Sequence, residues 1–195
     1  EIAKHYGQYS ENVAFELLNE VTDIGYIDSW NRISNECIKR IRTITSDTII
    51  LVGSYENNSA SSVPALTAPY DDKVIYNFHC YEPLKFTHQG AYWTDAINPK
   101  NRLSFDESNI TPEFFEELFA PAIEAAKNNS TTLYCGEFGV IDIVSPEDTL
   151  KWFKTINSVL DKHGIARCAW SYKEMDFGIS DSRLDDVRDE LIGYI

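Results

Sequence analysis

Five short apolar runs punctuate the chain: "VAFELL" (13–18), "TIILVG" (48–53), "VIYNFH" (74–79), "TTLYCGE" (131–137) and "ARCAWS" (166–171). They are nearly continuous rather than alternating, the pattern of parallel strands covered on both faces. Helical periods separate them. Trp30, Ile33, Cys37, Ile41 and Ile44 fall on one stripe and predict a helix buried along that line. Thr111-Pro112 predicts a helix start, with proline tolerated in the first turn, and Pro121 predicts a kink or break further on. Ser145-Pro146-Glu147-Asp148 predicts a second start capped by Ser145; Leu150, Phe153, Ile156 and Leu160 give its apolar face, and Gly164 after His163 ends it. A last amphipathic helix is expected through Leu184, Val187, Leu191 and Ile195. Strand followed by helix, repeated, is the signature of an α/β fold built on a parallel sheet.

Two connections are long, roughly 54–72 and 82–109, and both follow a strand. Loops of that kind, rich in Asn, Tyr and Trp, place a binding face at the C-terminal ends of the strands. No internal repeat or linker interrupts the 195 residues, so one domain, 1–195, is expected. The opening "EIAKHYGQYSEN" has no apolar core of a signal peptide and reads as the tail of a helix. No stretch approaches the roughly 20 apolar residues of a membrane span, so no membrane partner is expected. A net charge of −14 argues against nucleic acid, whose backbone requires a basic surface. Cys37, Cys80, Cys135 and Cys168 match no zinc spacing. They are expected to be buried and unbridged, with a Cys135–Cys168 disulfide open if the two lie on adjacent strands.

The strand ends carry the chemistry. They supply Asn19-Glu20, His79-Cys80-Tyr81-Glu82-Pro83, Glu137 and Trp170, and in a parallel α/β sheet such ends reach one rim. Two carboxylates, an imidazole, a phenol, an amide and an indole suit the cleavage of a glycosidic bond: one carboxyl gives a proton to the leaving oxygen while the other, ionised, attacks the anomeric carbon. An indole face can stack on a sugar ring. Each residue alone also fits an ordinary role: Asn19-Glu20 a cap, His79 a core histidine, Tyr81 and Trp170 packing. Glu137 between Gly136 and Gly139 is more pointed, because glycines let other backbone come close. Glu16, sharing a strand face with Leu18, needs a partner if it is buried.

"VAFELLNE", "VIYNFHCYEP", "FTHQGAYW", "LYCGEFGV" and "CAWSYKEMDFGI", in that order, resemble the glycoside hydrolase family 5 cellulases, and the similarity runs along essentially the whole chain. The resemblance implies a (β/α)8 TIM barrel of which this chain holds the part from the fourth to the eighth strand. It implies Glu20 as acid/base, Glu137 as nucleophile, Asn19 bonded to the sugar C2 hydroxyl, His79 and Tyr81 orienting the site, and Trp170 as the floor under the sugar. His88, Gln89 and Trp93, in the loop after the third strand, are expected at outer sugar subsites, with Glu174 and Asp176 as further candidates. A retaining mechanism needs the two carboxyls about 5–5.5 Å apart and no metal or organic cofactor.

A whole barrel of this type takes eight strands and about 250 residues. The chain supplies about five strands, and the family's arginine and histidine from the earlier strands have no counterpart in it. A half-barrel of that kind would leave open edges and an apolar face, so completion by self-association, most simply as a homodimer, is expected. The leading expectation is a retaining endo-β-1,4-glucanase acting on β-glucan. The alternative is a non-catalytic half-barrel that binds polysaccharide or serves as a self-assembling scaffold. A polymeric substrate implies secretion.

Overall fold

The computed structural model describes residues 1–195. Five strands form one sheet in the order β1-β2-β3-β4-β5: β1 Phe15–Glu16, β2 Ile50–Gly53, β3 Val74–Cys80, β4 Leu133–Phe138 and β5 Ala166–Arg167. The three longest come from the expected runs, while the end strands β1 and β5 keep only two residues each. Register is parallel, Phe15 beside Ile50 and Ile50 beside Val74, running to Gly53 beside Asn77. Sequential neighbours joined by helices give this order without crossings. No helix is long and apolar enough to cross a membrane.

The chain divides into two compact units. The first comprises Glu1–His79 and Leu118–Tyr134. Its core is Phe15, Trp30, Ile38, Ile50, Val52, Val74, Tyr76, Phe78 and Phe119, all buried. The helix Ile27–Arg42 buries Trp30, Ser34 and Ile38, not the expected line through Ile33, Cys37 and Ile44, which are exposed. Ser34 is the reason. It is small, its hydroxyl bonds back to the Asn31 carbonyl at 3.2 Å, and with Ile38 it faces Val52 and Val74 across a small cavity. A polar residue thus holds the sheet side, which an apolar-only stripe cannot register. The Trp30 indole donates to the Gly53 carbonyl at 2.9 Å, and Arg42 forks onto Asp71 at 2.5 and 2.9 Å, tying both ends of this helix down.

The second unit comprises Cys80–Glu117 and Cys135–Ile195. Its centre is aromatic: Trp152 lies 6.2 Å from Phe138 in a stacked pair and edge-on to Phe115 and Phe153. The helix Pro146–Lys162 starts as expected, with Ser145 accepting from the Asp148 amide at 3.2 Å, and stops before Gly164. The helix Pro112–Asn128 runs on through Pro121 without dividing. The expected last helix is instead a 3₁₀ turn, Ser182–Leu184, and a short helix, Arg188–Ile192; Leu184 and Leu191 remain its buried anchors. All four cysteines are free. The Cys168 amide, just past β5, does bond the Cys135 carbonyl at 2.9 Å, so the two backbones are neighbours. Cys80 and Cys135 are buried as expected; Cys37 and Cys168 are exposed, because one is on the solvent side of its helix and the other just past the end of an edge strand.

Candidate active site

In the first unit, β1 leads to Asn19 and Glu20 and β3 ends at His79. Asn19 is exposed and Glu20 half-buried, with Glu20 in a left-handed conformation at φ 47°. His79 is 4 % exposed, and its Nδ1 lies 2.9 Å from Glu20 Oε1. The other carboxylate oxygen, Oε2, accepts from Asn57 Nδ2 at 3.3 Å. Both oxygens therefore have a partner that sets the plane of the carboxylate. Asn57 and its buried neighbour Asn58, whose Nδ2 is 3.1 Å from His79 Nε2, are site residues that the apolar pattern did not single out. They sit in the long connection after β2, in a turn where Glu56, Asn57 and Asn58 are all left-handed. The signal available was the doubled asparagine, since asparagine enters that region more readily than most residues. Glu16 stays exposed, so burial imposes no partner on it, and it accepts from the buried Asn77 amide at 2.7 Å.

In the second unit, β4 delivers Glu137, half-buried, and the Tyr81 hydroxyl donates to its Oε2 at 2.7 Å. Tyr81 is braced edge-on by His88 at 5.1 Å and Phe177 at 5.6 Å, and its carbonyl accepts from the Thr87 hydroxyl. His88 Nδ1 is 3.0 Å from that same hydroxyl, whereas Gln89, expected beside it at a subsite, is buried with its amide donating to the Phe86 and Leu103 carbonyls, so it braces the loop instead. Trp93 lies 6.1 Å from His88 and 6.3 Å from Phe177, and Tyr92, 82 % exposed, stands edge-on to it at 5.0 Å. The aromatic wall thus passes from the carboxylate neighbour outward to solvent. Trp170 is partly exposed, and its amide donates to the Phe138 carbonyl at 2.9 Å. That contact explains Gly139, where a Cβ would fall 2.2 Å from the Trp170 carbonyl oxygen. Beyond Trp170, Glu174, Met175 and Asp176 form a left-handed turn closed by the Ser171 hydroxyl on the Glu174 carbonyl at 2.9 Å. Asp176 accepts through its backbone carbonyl from the Asp142 amide. Burial and the nearby Asp176 raise the Asp142 carboxyl above its ordinary value.

Residues 1–176 match the model of the cellulase family, glycosyl hydrolase family 5. The chain belongs to that family. Cellodextrinase A of Ruminococcus flavefaciens is 55 % identical over 196 residues, covering 100 % of this chain and 58 % of the relative. Endoglucanase C of Acetivibrio thermocellus is 34 % identical over 220 residues, covering 100 % and 63 %. Among solved structures, an endoglucanase superposes with a TM-score of 0.87 at 27 % identity over 98 % of this chain and 63 % of that one. Endoglucanase Cel5A of Thermotoga maritima does so with 0.85 at 28 % identity over 99 % and 62 %. The chain spans about three-fifths of the length of the curated relatives it matches. Its five parallel strands and their helices are accordingly part of a TIM barrel of the family 5 type.

Proposed function

We propose that the chain carries the two reacting carboxylates of a retaining endo-β-1,4-glucanase acting on β-glucan. Glu137 attacks the anomeric carbon and forms the glycosyl–enzyme bond as the glycosidic C–O bond breaks, while Glu20 passes its proton to the departing oxygen. In the second half Glu20 takes a proton from water, the hydroxide oxygen bonds to the anomeric carbon, and Glu137 leaves as carboxylate. Asn19 would bond the sugar C2 hydroxyl, Trp170 would underlie the ring, and His88 and Trp93 would serve outer subsites. The observation that carries this reading is that, in a family 5 chain, both strand-end glutamates have oriented carboxylates. His79 and Asn57 hold Glu20, and the Tyr81 hydroxyl holds Glu137. A rigid donor at 2.7 Å fixes the rotamer of a nucleophile before substrate arrives, which is where orientation lowers a barrier.

The test is trapping and truncation. An activated 2-deoxy-2-fluoro cellobioside, which forms the glycosyl–enzyme faster than water removes it, is expected to add one glycosyl mass to the peptide containing Glu137. Glu20→Gln is expected to abolish release of reducing sugar from carboxymethylcellulose while cello-oligosaccharide binding persists. Label on any other residue, or full hydrolysis by Glu20→Gln, refutes the assignment.

A second reading, self-association as a homodimer, draws support from the sheet: β1 and β5 each pair on one side only, and open edges are templates for another strand. Light scattering at micromolar concentration decides it, since a monomer mass excludes the dimer. A polymeric substrate would also place the working protein outside the cell, which secretion into culture medium tests.

A further inference from the structure

Behind Glu20 the first unit holds an amide that the proposed reaction does not touch. Asn58 Nδ2 lies 3.1 Å from His79 Nε2, while Nδ1 of the same ring meets Glu20 Oε1 at 2.9 Å. Asn58 is fully buried, and three features fix its side chain. It ends the left-handed turn Glu56–Asn58, with φ of 51°, 59° and 58°, a region that asparagine tolerates. The turn is pinned by the Asn57 amide on the Val21 carbonyl at 3.2 Å and by the Ser54 hydroxyl on the Ser59 carbonyl at 2.7 Å. Gly53 provides the space: a Cβ there would stand 2.5 Å from Asn58 Oδ1 and 2.8 Å from Nδ2.

The orientation of the amide follows from what surrounds Oδ1. That oxygen is buried without a hydrogen-bond partner and lies 2.5 Å from the point where a Cβ on Gly53 would stand, the side of that residue that carries only hydrogen. An oxygen there can accept a weak Cα–H contact, whereas an NH2 group would leave both its hydrogens unmet, and buried unpaired N–H groups are the rarer defect. Nδ2 therefore points at His79.

We propose that Asn58 is a positioning residue that selects the neutral, Nδ1-protonated tautomer of His79 and so aims a ring N–H at Glu20. A donor directed at Nε2 needs the lone pair of that nitrogen; the other tautomer and the imidazolium would set two N–H groups face to face. A neutral ring with its proton on Nδ1 can donate to Glu20 both as carboxylate and as carboxylic acid, because each form keeps acceptor lone pairs. His79 thereby holds the same contact through both halves of the cycle, and the ring itself adds no positive charge beside the group that must gain and lose a proton. The catalytic meaning of this rests on the acid/base role of Glu20; the state of the ring does not.

The experiment is 15N NMR of the 195-residue protein labelled at histidine, at pH 7, with His79 identified by the signals lost in His79→Gln. The expected spectrum shows a neutral ring protonated at Nδ1. Asn58→Asp keeps the shape and the tolerance for a left-handed backbone but offers only acceptors, so the ring is expected to gain a proton at Nε2. In the same variant kcat on carboxymethylcellulose is expected to fall about tenfold with KM unchanged, the size of one lost orienting hydrogen bond. Nε2 protonation in the unmutated protein overturns the proposal, and so does an Asn58→Asp ring identical to the original. If the unmutated chain released no sugar, the glucanase reading would fall while the ring spectrum still decided the tautomer.

Discussion

Replacing Gly139 by alanine tests whether the placement of Trp170 matters to catalysis. The new Cβ would be built 2.2 Å from the Trp170 carbonyl oxygen, and Cβ atoms essentially never approach a neighbour closer than 3.0 Å. The backbone at Gly139 or Trp170 must therefore yield by at least 0.8 Å, the difference of those two distances. Neither side can give by a rotamer change, because the obstacle is main chain, held by the Trp170 amide on the Phe138 carbonyl. A displacement near 1 Å at a reacting site costs on the order of 100-fold in rate, about 2.7 kcal/mol of barrier. Overpacking of this kind also lowers stability by about 1–3 kcal/mol. The assay is kcat/KM on cellotetraose together with a urea unfolding curve. Gly164→Ala is the control. Gly164 has φ +63° but nothing within 4 Å of an added Cβ, so it should lose roughly 1–2 kcal/mol of stability to backbone strain and keep its kcat/KM. Gly139→Ala folded, yet within threefold of the original activity, would refute the reasoning.

Tyr81→Phe removes only the 2.7 Å donor on Glu137 and keeps the ring between His88 and Phe177; kcat should fall roughly tenfold with KM unchanged, and equal turnover would remove Tyr81 from the site. The Arg42–Asp71 pair should give an acid-sensitive share of stability. The Arg42 hydrogen bonds hold the Asp71 carboxyl below its ordinary value, so the gain is present above about pH 4 and is lost as pH falls through the lower, folded-state value. Asp71→Asn should then cost about 1–2 kcal/mol in urea unfolding at pH 7 and progressively less as pH falls below the ordinary carboxylate value, a trend that simple loss of packing would not produce.

The parts of this fold legible in the sequence are those set by long-range burial. The runs at 48–53, 74–79 and 131–137 became strands because near-continuous apolar residues have few other stable environments, and their polar last residues follow from that register. Ser145 and Gly164 were readable because caps obey local chemistry. The face of the helix Ile27–Arg42 was not, since Ser34 holds the sheet side by being small while Ile33 and Cys37 look outward. Pro121 does not divide its helix, because a proline inside a helix can be carried when the helix is anchored elsewhere, here by the buried Phe115, Phe119 and Ala122. The turn at 56–58 is not legible for another reason: its form depends on backbone dihedrals that leave no hydrophobic trace, so in the sequence Asn57 and Asn58 read only as loop asparagines.

The four thiols end as two unlike pairs. Burial pushes Cys80 and Cys135 upward and keeps them protonated, while Cys37 and Cys168 face water. This chain therefore comes with two chemical handles rather than four. One of them, two positions before Trp170, would let a fluorophore test whether a sugar reaches that indole without any engineered cysteine.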